Sequence, residues 1–124
     1  MKSKFEKITL SLLAFTLFIF STLIIVPIEV YASDSVEAVL IKKVSKSFTK
    51  KFCNSIGFGL SKESAINFSL AENNQVFNKK KDFNNINKEL LAEEISIAVV
   101  EKCGYPINLS GEKGILEFKS YYLS

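Results

Sequence analysis

FCNSIGFGLS, residues 52–61, decides how the chain folds. Cys53 stands just ahead of a break punctuated by Gly57 and Gly59. The arrangement returns in KCGYPINLS, residues 102–110, where Cys103 meets Gly104 and Pro106. Glycine and proline at such positions end helices, so each cysteine falls near a helix C-terminus. The 124 residues hold only these two cysteines. In an exported chain they read as one disulfide, Cys53–Cys103. Closing a loop of about 50 residues is worth about 4 kcal/mol in the chain-entropy model, a large share of a small domain's stability. The alternative is a redox-active thiol pair, but such pairs sit close together, as in C-x-x-C.

Outward from Cys53, residues 34–56 read as a first helix. Val36, Leu40, Val44, Phe48 and Phe52 recur at i+4 with Ile41 beside them, and Lys42, Lys43, Lys46 and Lys50 occupy the other side. Asp34-x-x-Glu37 has the pattern of a capping box. On this helix Cys53 falls toward the lysines, so either the helix loosens there or the bond is made at its flank. Ser61 caps a second helix running to about Phe77, with Ile66, Leu70 and Phe77 on one face. Lys79, Lys80 and Lys81 lie in a solvated connection. Asn84 or Asn85 caps a third helix reaching Cys103, apolar around most of its circumference and so suited to the centre of a bundle. Its β-branched run, residues 95–100, also fits a buried strand, and residues 115–122 fit a closing helix or a final strand. If a helix returns between them, the first and third helices run parallel with their tails tied.

The fold class expected is therefore all-α: a small three- to four-helix bundle stapled by one disulfide, preceded by an N-terminal signal or transmembrane segment. Lys2, Lys4 and Lys7 precede an apolar run over residues 8–26, and Val30-Tyr31-Ala32 supplies small residues at a peptidase site. Cleavage is expected between Ala32 and Ser33, dividing the chain into a 1–32 leader and a 33–124 domain. The rival is an uncleaved anchor, because the apolar run approaches the roughly 20 residues that span a bilayer. Both place the domain outside the cytoplasm.

Composition narrows the chemistry. The chain has no His, Arg or Trp and a formal charge of +3. Without histidine there is no Ser–His or Cys–His pair and no imidazole metal site; without arginine there is no bidentate phosphate clamp. The weak positive excess does not argue for nucleic acid. Glu93, Glu94, Glu101 and Lys102 read as a solvated face, since adjacent helical carboxylates diverge by about 100°. No enzyme, metal or cofactor is expected. Two features are candidate contacts: the lysine face Lys42/Lys43/Lys46/Lys50, toward an anionic membrane surface or an acidic protein partner, and the loop at Tyr105 and Pro106, for recognition. The Phe residues, Phe58 and Phe68 among them, are expected in the core, Phe68 through a secondary contact off its helix's apolar face; a Phe left exposed would mark a partner surface.

FCNSIGFGLSKESAINF, residues 52–68, with AVVEKCGYPINLSGEKG, residues 98–114, resembles small exported proteins of cyanobacteria. The resemblance implies a periplasmic or thylakoid-lumen address and assigns no activity; export alone also admits an extracellular address. The role expected is binding or structural, as an accessory to a larger assembly. The alternatives are a subunit anchored by residues 8–26 and a carrier with a Phe-lined cavity for a lipid or other hydrophobic ligand, of unknown identity.

Overall fold

The computed structural model describes Thr9, residues 11–13 and residues 35–124, and the chain divides into two compact units, Met1–Ser33 and Asp34–Ser124. Of the first unit, Thr9 and residues 11–13 are helical; the rest of the expected leader, including the Ala32/Ser33 cleavage point, lies outside the described residues. Among the described residues no helix is long and apolar enough to cross a membrane.

The second unit is all-helical: α1 (Val36–Gly57), α2 (Lys62–Phe77), α3 (Lys88–Cys103) and α4 (Gly111–Leu123), with single 3-10 turns at Phe83–Asn85 and Tyr105–Ile107. Both segments that fitted helix or strand are helix. Residues 95–100 lie within α3 and residues 115–122 within α4, and no strand occurs among the described residues.

α1 forms where its i+4 stripe finds partners. Leu40, Val44, Phe48 and Phe52 are buried, whereas Val36, at the first turn, is 73% exposed because the stripe outruns the helices that cover it. The centre is aromatic. Phe48 and Phe52 stack with centroids 6.0 Å apart, Tyr122 meets Phe48 edge-on at 5.3 Å, and Phe118 meets Phe52 at 5.1 Å. Positions 48 with 122 and 52 with 118 show α4 running antiparallel to α1. Phe48, Phe52 and Phe118 have no exposed surface, and each such burial contributes about 1.5–3 kcal/mol.

α3 shares the centre of the bundle with α1: α3 packs on α1 and α4, while α1 packs on α2 and α3 and meets α4 through the rings. α3 buries one side, Leu91, Ala92, Ile95, Ser96, Val99 and Cys103, and leaves Leu90 52% exposed. Small residues let α3 approach closely. The Ser96 hydroxyl donates to the Ala92 carbonyl at 2.5 Å, so burying it strands no polar group.

α1 and α3 are parallel. Asn87 donates its backbone N–H to the Glu37 carboxylate at 2.8 Å, and Cys53 is bonded to Cys103 with Cα atoms 5.7 Å apart. Both ties join positions 50 residues apart, so the two helices keep one register over about 24 Å. Glu37 thus leaves the expected capping box: Ser35, not Asp34, caps α1 by accepting from Ala38 N, and Glu37 reaches across to α3. The cap of α3 is likewise Asn87, not Asn84 or Asn85, its side chain accepting from Glu89 N and Leu90 N. Ser61 caps α2 as its sequence indicates.

Candidate functional site

The disulfide end is built by two turns of different kinds. α1 ends in a Schellman turn, in which Leu60 N donates to Ser55 O across Gly59 at φ +92°, a conformation open to glycine. α1 stays helical through Gly57, so the Cys53 sulfur bonds from the helix flank and not from a loosened end. α3 ends at Gly104, whose φ is ordinary, but whose carbonyl accepts from Ile107 N and Leu109 N as the chain doubles back. A Cβ there would collide with the carbonyl oxygens of Leu109 and Val100, so this position requires glycine for space.

The consequence is a pair of exposed aromatics at one end of the bundle. Tyr105 is 97% exposed and Pro106 is exposed beside it; Phe58, between Gly57 and Gly59, is 86% exposed. Phe58 and Phe68 are corrections to the expected core, with Phe68 47% exposed on α2. The Gly-Phe-Gly setting held the signal for Phe58: a ring between two helix-ending glycines belongs to no helical stripe.

The four lysines Lys42, Lys43, Lys46 and Lys50 are all exposed on α1, but they do not form one uniform face. Lys42 and Lys46 border a shallow groove of about 370 Å³ between α1 and α3, with Glu94, Glu101 and Lys102 on its other wall. Carboxylates thus face part of the lysine row. Lys51 turns the other way and donates to Asn73 Oδ1 at 3.4 Å. Asn73 itself is buried, donating from Nδ2 to the Val44 carbonyl at 3.1 Å and accepting from Ser47 at 2.8 Å, which fastens α2 to α1. Thr49, in the floor of the α1–α3 groove, has a buried hydroxyl without a hydrogen-bond partner among the described residues.

On the α3–α4 side, Lys119 bridges Glu89 at 3.3 Å and Glu93 at 3.4 Å. The hydrogen bond to Glu89 does most to hold its ammonium above the usual lysine range; desolvation opposes this and Glu93 adds to it. Lys62 of α2 reaches α4, lying 3.9 Å from Glu117 and 3.8 Å from the Tyr121 ring centroid. Among the described residues no group of three or more His, Cys, Asp or Glu stands close enough to hold a metal ion.

No protein-family model matches the chain, and no match is found among curated proteins or among solved structures. The geometry above is therefore what bears on function. A disulfide joining two helix ends belongs to an oxidising, non-cytoplasmic environment.

Proposed function

We propose that this chain is an exported binding subunit, an accessory to a larger protein assembly in a periplasm or thylakoid lumen, and that it meets its protein partner with the disulfide end of the bundle. The observation behind this reading is the exposure of Phe58 and Tyr105 on the two turns that follow Cys53 and Cys103. Aromatic side chains of this size are typical anchors of protein interfaces, and turns fixed by a covalent bond lose little freedom when they dock. Lys50 and Lys102 near the same end favour an acidic rim on the partner.

Crosslinking and affinity capture from the native host test it. Wild-type protein is expected to bring down one reproducible large partner, and Phe58→Ser with Tyr105→Ser to lose it while the circular dichroism spectrum stays unchanged. A consistently solitary monomer, or capture indifferent to both substitutions, overturns the reading.

A further inference from the structure

α2 and α4 both pack toward α1 or α3 but barely touch one another, and the space between them is a trough in two lobes. One lobe, about 390 Å³, runs past Lys62, Ile66 and Asn67; the other, about 520 Å³, runs past Phe83, Ile86, Lys88 and Leu91. Leu70, Tyr122 and Ser124 line both, so the lobes join end to end. From Lys62 to Asn74 the trough follows α2 for about 18 Å. Each lobe is within the size range of small-molecule sites, and the joined shape suits a long, thin occupant.

We propose that this trough binds a free long-chain fatty acid, its tail along Ile66, Leu70 and Tyr122 and its carboxylate at Lys88. Charge decides the direction. Lys62 is already shared with Glu117 and stacked on Tyr121, and Glu63 stands next to it. Among the described residues Lys88 is the only charged side chain lining the larger lobe, and it makes no ion pair with any of them. Tyr122 provides the polar handle at the waist: its hydroxyl has no hydrogen-bond partner among the described residues. Burial pushes its pKa up to about 12, so it stays a proton donor at neutral pH. The site is separate from the disulfide end, and its failure leaves the docking reading standing.

Titration calorimetry of the oxidised protein with palmitate, hexadecanol and hexadecylamine tests both the tail and the head. Palmitate is expected to bind one to one, with hexadecylamine at least tenfold weaker. Leu70→Glu, a carboxylate set at the waist, is expected to weaken palmitate at least tenfold. Lys88→Gln is expected to weaken palmitate about fivefold and leave hexadecanol unchanged. Amide shifts of the wild-type protein on adding palmitate provide a readout that needs no variant, and they are expected along residues 62–74, 83–91 and 121–123. No palmitate binding, equal binding of hexadecylamine, or shifts centred on Phe58 and Tyr105 overturns the proposal.

Discussion

The two ends of the α1–α3 pair are closed by ties that span the same 50 residues but differ in kind. At one end an exposed carboxylate, Glu37, caps the neighbouring helix by a single hydrogen bond to Asn87. At the other a covalent bond joins Cys53 to Cys103, and the chain doubles back tightly at Gly104. The first tie exchanges readily with water; the second does not open without a reductant. Stability is therefore expected to be graded along the pair, with the Glu37 end fraying first and the disulfide end rigid. That gradient suits the proposed role, because Phe58 and Tyr105 stand on the end that is already ordered before any partner arrives.

The largest test removes the covalent tie. Cys53→Ser with Cys103→Ser is expected to destabilise by about 4 kcal/mol, since a loop of 50 residues is released into the unfolded ensemble. For a domain of this size that lowers the melting temperature by about 20 °C. Calorimetry of the oxidised and doubly substituted proteins measures it, and equal melting temperatures would erase the contrast between the two ends.

Next comes the backbone beside that tie. Gly104→Ala puts a methyl group against the carbonyl oxygens of Val100, which accepts from Gly104 N, and of Leu109, whose N–H is fastened to the Gly104 carbonyl, so it is expected to cost about 3 kcal/mol, the upper end for overpacking. Gly59→Ala, where the barrier is conformational and the space is open, is expected to cost about 1 kcal/mol. Denaturant midpoints of the two variants separate the causes. A Gly104→Ala protein as stable as Gly59→Ala would mean that the turn after α3 gives way easily.

The middle of the pair is probed through Tyr122, which packs on Phe48 between the two ties. Its raised pKa means that the folded chain keeps a proton that the unfolded chain loses near pH 10. Stability is then full below pH 10 and falls as pH rises toward 12, by about 2 kcal/mol. Lys119, also raised, acts in the same direction. Melting curves at pH 9 and pH 11.5 are expected to show the loss in wild type and a smaller loss in Tyr122→Phe. Tyrosinate absorbance of wild type should contain a late-ionising component that Tyr122→Phe lacks; if the substitution removes no late component, the ring is wetter than its packing indicates.

Much of this architecture was legible in the sequence, and what was not has physical causes. The stripe of Leu40, Val44, Phe48 and Phe52, the Ser61 cap and the glycine stops are local patterns, and local patterns are what spacing encodes. Glu37 was misread because Asp34-x-x-Glu37 satisfies a local rule, while its true partner lies across a register that only the folded pair defines. Asn73, a polar residue with no place in the apolar pattern, is buried because the Val44 and Ser47 groups of α1 come to meet it. Val36 and Leu90 obey the apolar periodicity yet stay exposed, since periodicity marks a face and not whether the described helices cover it. The trough had no signal at all, being a place where two helices fail to pack.

The smallest test, Glu37→Gln, is the most exacting for the comparison. The amide keeps an acceptor oxygen for the Asn87 N–H but removes the charge that favours the positive end of α3. Glu37→Ala removes both. Because the site is exposed, the first substitution is expected to cost under about 0.5 kcal/mol and the second about 1 kcal/mol. Global unfolding barely resolves such differences, but hydrogen exchange reads them locally. Faster exchange is expected at Asn87 and through the first turn of α3, with no change near Cys103. Exchange that rises equally at both ends would show that the pair opens as one unit, and the gradient between a fraying end and a rigid one would not exist.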